Sequence, residues 1–108
     1  MSDQGSQKRN VPAACNTRED VRFEIDRLDK LLVTLMAERW QYVHRMSELK
    51  SSVSEANAPE RVQQVLDNVA AEAKATEFPL ELAEAIWQKF IDFAIKYEEE
   101  KIAARQPE

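Results

Sequence analysis

Apolar residues recur at alternating intervals of three and four over about residues 17–50, a spacing that predicts one long amphipathic α-helix. Asn16 or Thr17 can cap this helix, because an acidic residue stands three positions after each of them. At 1.5 Å per residue the helix is ~50 Å long, so it needs a partner to cover its apolar face. That face is a heptad-like seam formed by Ile25, Leu28, Leu32, Leu35, Tyr42, Met46 and Leu49.

Two shorter helices follow, and a proline, which favours the first position of a helix, introduces each of them. Pro59 opens the second helix after the polar loop 51–58, and Pro79 opens the third. With one glycine and almost no β-branched alternation, the chain is predicted to be all-α, with one long helix and two shorter ones. The apolar residues of the two shorter helices are Val62, Val65, Leu66, Val69 and Ala73, then Ala83, Ile86, Trp87, Phe90, Ile91, Ala94 and Tyr97.

The rest of the chain is predicted to lie outside the folded domain. We expect one domain over residues 16–103, preceded by a disordered segment 1–15 and followed by a frayed C-terminus 104–108. The polar start MSDQGSQKRN lacks the apolar stretch of a signal peptide. No segment approaches the ~20 apolar residues that cross a bilayer, so a cytoplasmic protein is expected.

Composition excludes several classes of site. A formal charge of −5 argues against nucleic acid or an anionic membrane as the main partner. The single cysteine, Cys15, excludes an internal disulfide and any multi-cysteine metal site. One histidine, His44, argues against a histidine metal site or a Ser-His-Asp triad. No metal and no cofactor are therefore expected.

One member of the long helix's apolar seam is a cation. Arg39 follows Leu35 at the spacing where another apolar residue belongs, and a buried guanidinium without an anion costs several kcal/mol. Lys50 lies eleven residues later, close to three turns, so it shares that face, ~16 Å away. Both side chains can therefore reach one small anion. The alternative is two unrelated cations, one extending to solvent and one paired with a glutamate.

Three further polar residues have open roles. Arg22 lies 28 residues before Lys50, ~42 Å along a straight helix, so it can join the same site only from an antiparallel partner chain. Arg61, in the first turn of the second helix, is either solvated or at the pocket mouth. Glu98 either extends the stripe of Trp87 and Ala94 into the pocket or is a solvated tail residue.

The stretches VRFEIDRLDKLLVTLMAERWQYVHRMSELK, APERV and IWQKFIDFAIKYE, at residues 21–50, 58–62 and 86–98, resemble the all-helical AroQ-class chorismate mutases. The chain resembles in particular the branch that includes isochorismate pyruvate-lyase of siderophore biosynthesis, and the resemblance covers about residues 18–100. It implies an intertwined helical homodimer with sites shared between the two chains. It also implies a small dicarboxylate substrate, chorismate or isochorismate, and a pericyclic reaction that needs no nucleophile or metal.

The resemblance also implies a role for each candidate residue. Arg39 matches the arginine that binds a substrate carboxylate, and Arg22 matches the one that the neighbouring subunit donates. Lys50 matches the lysine that reaches the ether oxygen and a carboxylate. Arg61 matches the second-helix arginine at the pocket. Glu98 stands where relatives carry a glutamine, or in some members a glutamate, that hydrogen-bonds the ether oxygen; a glutamate can donate there only when it is protonated.

Two positions depart from the mutase pattern. Two acidic residues that hold the substrate hydroxyl in mutases are matched here by Ala58 and Val62, which resembles the lyase branch. The glutamate at position 98 argues against the lyase branch, which carries a glutamine there. We therefore expect a chorismate mutase of aromatic amino-acid biosynthesis, with isochorismate pyruvate-lyase, giving salicylate and pyruvate, as the alternative. A non-enzymatic helical dimerisation module is the third hypothesis; it predicts that protein carboxylates satisfy Arg39 and Lys50.

Overall fold

The structure of the protein is a computed structural model that describes residues 10–105. Within this range the chain forms three α-helices: α1 (Arg18–Leu49), α2 (Pro59–Thr76) and α3 (Leu80–Arg105). Two short 3₁₀ turns, Pro12–Ala14 and Val53–Glu55, precede and follow α1. The predicted all-α class, with one long helix and two shorter ones, is confirmed. None of these helices is both long and apolar enough to cross a bilayer.

Helix α1 begins with reciprocal hydrogen bonds between Thr17 and Asp20. The Asp20 N–H donates to Thr17 Oγ1 at 3.0 Å, and the Thr17 N–H donates to Asp20 Oδ2 at 3.2 Å. The Asn16 N–H also donates to Asp20 Oδ2, at 2.9 Å. These bonds satisfy backbone donors that have no partner within a helix, which explains why α1 starts here.

The chain divides into two units, one ending at Gln41 and the other starting at Tyr42, so the boundary falls within α1. In the first unit the segment before α1 is attached to the helix, since the Asn10 N–H donates to Glu24 Oε2 at 3.0 Å. Glu24 also pairs with Arg27 at 2.9 Å. Residues 10–15 belong to the segment 1–15 that was predicted to be disordered, and Pro12–Ala14 form a 3₁₀ turn there. Residues 1–9 of that predicted segment lie outside the described residues.

The apolar seam of α1 stays exposed in a single chain. Ile25, Leu28, Leu32 and Leu35 are 50%, 46%, 54% and 61% exposed, and the only buried residue of α1 is Ser47. A row of large apolar side chains in water is unusual for a monomer.

In the second unit, α2 and α3 pack against each other through the apolar faces that the sequence predicts. Ala73, Ala83 and Ile91 are buried. The rings of Trp87 and Phe90 lie edge to face with their centroids 5.2 Å apart, a favourable arrangement for aromatic pairs. Pro59 is the first residue of α2, as predicted, while Pro79 directly precedes α3 instead of opening it.

Helix α3 is longer than the sequence suggested. It continues to Arg105, so residues 104 and 105, which were expected to be frayed, are helical. The physical reason is tertiary: Ile102 is completely buried, and the Arg105 guanidinium donates hydrogen bonds to the backbone carbonyls of Ser47 and Lys50. These contacts oppose fraying of a charged helix end. Residues 106–108 lie outside the described residues.

The capping contacts at the start of α1 predict a pH-dependent stability. The Asn16 N–H, then the N–H and hydroxyl of Thr17, hold the pKa of Asp20 below its ordinary value of 3.8, against the opposing effect of desolvation. A carboxyl with a lowered folded-state pKa stabilises the folded protein above 3.8, and this contribution is lost as pH falls through the folded-state value. Asp20→Asn should therefore be less stable than the wild type near neutral pH, and the difference should vanish in acid.

The measurement is urea denaturation of both proteins at one protein concentration over a pH series. Glu19→Gln is the matched control, because it removes an exposed carboxylate from the same helical turn. Its difference from the wild type should depend less on pH. A stability difference for Asp20→Asn that stays constant from neutral pH to well below 3.8 would contradict the capping role.

Candidate active site

A buried ion pair joins the end of α1 to α3. Lys50 directly follows α1, and its Nζ lies 2.7 Å from Oε1 of Glu98 on α3. The side chains are 20% and 8% exposed. Of the two readings of Glu98 left open by the sequence, the structure excludes the solvated tail residue. It brings together Lys50 and Glu98, the two residues that were expected to be catalytic.

The loop after α1 holds the same ammonium from a second side. Lys50 Nζ also donates to the backbone carbonyl of Ala56 at 3.3 Å, and Ala56 is 4% exposed. The 3₁₀ turn Val53–Glu55 shapes this loop, and the Ser51 N–H donates to Glu55 Oε1 at 2.7 Å. An ammonium has three N–H donors, and among the described residues two acceptors bind this one. The third N–H has no acceptor within residues 10–105 and can donate to a further group.

The electrostatics of the pair follow from its burial. Removing a carboxylate from water costs several kcal/mol, and a hydrogen-bonded cation at contact distance offsets that cost. Low exposure also strengthens any interaction that the remaining Lys50 N–H makes with an incoming oxygen. The arrangement can therefore stabilise negative charge that develops on an oxygen atom.

A second cation binds the backbone that carries Lys50. Arg105 Nη1 donates to the Ser47 carbonyl at 2.8 Å, and Nη2 donates to the Lys50 carbonyl at 2.7 Å. Ser47 is 1% exposed, and its hydroxyl donates to the His44 carbonyl at 2.6 Å. One face of α3 thus supplies Glu98 for the side chain of Lys50 and, two turns later, Arg105 for its backbone.

A more exposed polar cluster lies on the same two helices. The Tyr97 hydroxyl and His44 Nδ1 share a hydrogen bond, and His44 Nε2 lies 3.4 Å from Glu48 Oε2. The hydrogen bond from Arg45 holds the pKa of Glu48 below its ordinary value. No group of three or more potential metal ligands occurs within residues 10–105.

The three predicted substrate-binding arginines stand in different surroundings. Arg61 is exposed in the first turn of α2, and its Nη1 donates to the side chain of Gln64, one turn along the same helix. Arg39 and Arg22 both lie on α1 in the first unit, where Arg39 is half-buried and Arg22 is exposed. The half-burial of Arg39 agrees with its place in the seam.

Sequence reasoning missed Arg105 and the carbonyl of Ala56. A signal for Arg105 was present, because the stripe through Ile91, Ala94 and Glu98 continues at helical spacing to Ile102 and Arg105. The charged composition of the tail concealed it. No sequence pattern marks the Ala56 carbonyl, which is positioned by the path of the loop.

Comparison with known proteins places these residues in a family. The sequence pattern of the family described as chorismate mutase type II matches residues 21–99, which include Arg22, Arg39, Lys50, Arg61 and Glu98. The chain is also 31% identical over 85 residues to an isochorismate pyruvate lyase of Pseudomonas aeruginosa, which covers 79% of this chain and 84% of the relative. No solved structure matches significantly. The chain belongs to the chorismate mutase type II family.

Proposed function

We propose that the protein is a chorismate mutase that converts chorismate to prephenate in aromatic amino-acid biosynthesis. In this intramolecular rearrangement the ether C–O bond breaks while a C–C bond forms, and negative charge develops on the ether oxygen. The observation that carries the proposal is the buried Lys50–Glu98 pair, with its 2.7 Å contact and one ammonium N–H left for a ligand. Family membership supports the same reaction.

In this proposal Lys50 is the main catalytic residue. Its remaining N–H donates to the ether oxygen, and a donor already aimed at developing charge lowers the barrier without reorganisation. Arg39 and Arg22 bind the two carboxylates, for which the planar guanidinium fork is suited. Arg61 lies at the pocket mouth. Together they select the compact substrate conformer in which the two reacting carbons are close.

Glu98 has two roles in this proposal, one as the ionised carboxylate and one as the protonated acid. As a carboxylate it accepts from Lys50 Nζ and orients the ammonium. As an acid it can itself donate to the ether oxygen. A glutamine would retain both functions, because its amide oxygen accepts and its amide nitrogen donates. This explains how related sites can carry either residue.

We also propose that the active unit is a homodimer with shared sites. The support is the exposed seam of α1, which a second, antiparallel α1 would cover. Arg22 lies near the start of α1 and Lys50 directly follows its end, ~42 Å along a straight helix. An antiparallel partner brings the Arg22 of one chain towards the Lys50 of the other, and two-fold symmetry does so twice.

Isochorismate pyruvate-lyase activity, which gives salicylate and pyruvate by elimination, is the second candidate. Two observations favour it. The lyase of Pseudomonas aeruginosa is 31% identical to this chain over 85 residues, and the start of α2 lacks the two carboxylates that hold the substrate hydroxyl in mutases. Ala58 precedes α2 and Val62 lies in its first turn, both half-buried, while Glu60 between them is exposed. A pocket that is apolar at these positions does not bind the hydroxyl of chorismate as an acidic one does.

The non-enzymatic alternative predicted that a protein carboxylate satisfies Lys50, and Glu98 does so. This contact is therefore common to both hypotheses. Membership of an enzyme family over residues 21–99 favours catalysis. In the catalytic hypothesis the Glu98 carboxylate orients the Lys50 ammonium towards the substrate.

The first functional prediction concerns the substrate. Purified protein should convert chorismate to prephenate faster than it converts isochorismate to salicylate, because a glutamate at position 98 resembles members of the mutase class and not the lyase branch. The measurement is separate incubation with each substrate, followed by chromatographic separation of prephenate from salicylate. Salicylate formation well above prephenate formation would make the lyase the main activity. Turnover of neither substrate would reject both enzymatic functions.

The next prediction separates catalysis from stability at the buried pair. Lys50→Ala should lower kcat by more than tenfold, since a donor to developing charge contributes ~3 kcal/mol in the transition state. It should also lower the melting temperature, because Glu98 is left as a buried carboxylate. Adding Glu98→Gln should restore the melting temperature without restoring kcat. Glu98→Gln alone should stay within a few-fold of wild-type activity.

Lys101→Ala is the control for Lys50→Ala, because it also removes a lysine ammonium. The Nζ of Lys101, on α3, lies over the Tyr97 ring, 5.5 Å from its centroid. It should keep wild-type kinetics. Glu98→Leu removes both acceptor and donor and should lose more than tenfold in kcat. Equal loss of activity in Glu98→Gln and Glu98→Leu would contradict the roles given to Glu98.

The shared site predicts complementation between two inactive variants. Arg22→Ala and Lys50→Ala should each be nearly inactive as homodimers. In a mixed dimer one pocket collects both defects and the other collects neither. With random exchange half of the dimers are mixed, so about a quarter of all pockets should regain activity. Absence of recovery after exchange has been verified, for example with a tagged chain, would contradict the intersubunit site.

A further inference from the structure

We propose that Arg105 is a positioning residue for Lys50, so that the last turn of α3 sets the geometry of the catalytic ammonium. The inference rests on the proposed function, because the catalytic role of Lys50 is part of that proposal. Arg105 lies beyond the stretch 21–99 that matches the family. It contacts the backbone of α1 and its following loop, through two hydrogen bonds of 2.8 and 2.7 Å.

The first step of the argument is the hydrogen-bond requirement at the end of α1. The last carbonyls of a helix have no partner within it and form the negative end of its dipole. The Ser47 carbonyl would bind the N–H of Ser51 if the helix continued, but that N–H donates to Glu55 Oε1 instead. Arg105 supplies the missing donor to Ser47, and its second nitrogen binds the Lys50 carbonyl. A guanidinium at this end also complements the helix dipole.

The second step is the mechanics of a lysine side chain. Its ammonium stands on a flexible four-carbon stem, so a fixed position for Nζ requires restraint at both ends of the residue. Glu98 and the Ala56 carbonyl hold Nζ, and Arg105 holds the Lys50 carbonyl. Glu98 and Arg105 stand two turns apart on α3 with the fully buried Ile102 between them. One rigid helix therefore fixes both ends of Lys50.

The third step is the geometry of the fork. Two nitrogens of one planar group bind carbonyls that are three residues apart in the chain. A lysine at position 105 would keep the charge but has a single nitrogen, so it cannot reproduce this paired contact. Loss of the fork should displace Lys50 slightly without removing it. Because Lys50 acts on charge that develops in the transition state, the displacement should lower kcat more than it raises KM.

The experiment is a double-mutant cycle. Arg105→Ala is measured in the wild-type background and in the Lys50→Ala background, each with chorismate and isochorismate. In the wild-type background kcat should fall about tenfold, as expected when a catalytic group is misplaced by a fraction of an ångström. In the Lys50→Ala background the same change should cost less than twofold, because Arg105 acts through Lys50. Arg105→Lys should fall between Arg105→Ala and the wild type.

Lys101→Ala, which removes a cation from the same helix one turn earlier, is the matched control and should keep wild-type kcat. Amide hydrogen exchange provides a readout that does not depend on activity. Exchange at residues 47–51 should be faster in Arg105→Ala and in Arg105→Lys, but unchanged in Lys101→Ala. This readout also covers the case in which Arg105→Ala is too unstable to assay, since Arg105→Lys keeps the charge.

Three results would overturn the inference: wild-type kcat in both Arg105 variants, equal losses in both backgrounds, or unchanged exchange at residues 47–51. Failure of the proposed function looks different. In that case the wild-type protein turns over neither substrate, while the exchange of residues 47–51 still responds to the Arg105 variants. The two failures are therefore distinguishable in the same set of proteins.

Discussion

The side chain of Glu98 on α3 is only 8% exposed, and a carboxylate that is so little exposed needs a cation. That cation is Lys50, which directly follows α1, and two other features of this unit depend on its position. The loop after α1 turns so that the Ala56 carbonyl meets the same ammonium, and α3 extends to Arg105, which binds the backbone of Lys50. A charged residue on an apolar face thus organises three segments around one ammonium. The same burial that makes the pair costly makes its remaining N–H effective towards an oxygen that gains charge.

The exposed seam of α1 imposes a second requirement. Leu28, Leu32 and Leu35 are each close to half exposed or more, although they form the apolar seam of α1. A helix that buries one serine in its own chain derives little stability from that chain's packing. Covering the seam with a second copy would stabilise the fold and bring Arg22 of that copy to the pocket in one step. Assembly and catalysis would then depend on the same surface, so a change at the seam should affect both.

Much of the fold was predictable from the sequence, because the helices depend on local periodicity and on caps. Pro59 opens α2 where predicted, and the seam residues do share one face of α1. Lys50 and Glu98 were both singled out, although their direct contact was not, since it depends on how the end of α1 meets α3. Arg105 was missed because its role comes from two carbonyls distant in sequence, and a charged tail otherwise predicts fraying. Such long-range contacts leave no periodic signal. No single residue type in the sequence decides whether chorismate or isochorismate is the substrate.

The central claim is that Lys50 and Glu98 line the substrate pocket and that the second chain completes it. The most direct measurement is a crystal structure of the protein with a bicyclic dicarboxylate that resembles the rearranging transition state. The claim predicts that the ether oxygen of the ligand lies within hydrogen-bond distance of Lys50 Nζ and of the Glu98 carboxyl. It also predicts that Arg39 of the same chain and the Arg22 side chain donated by the second chain hold the two carboxylates. A ligand bound elsewhere, with the Lys50–Glu98 contact intact and remote from it, would contradict the claim.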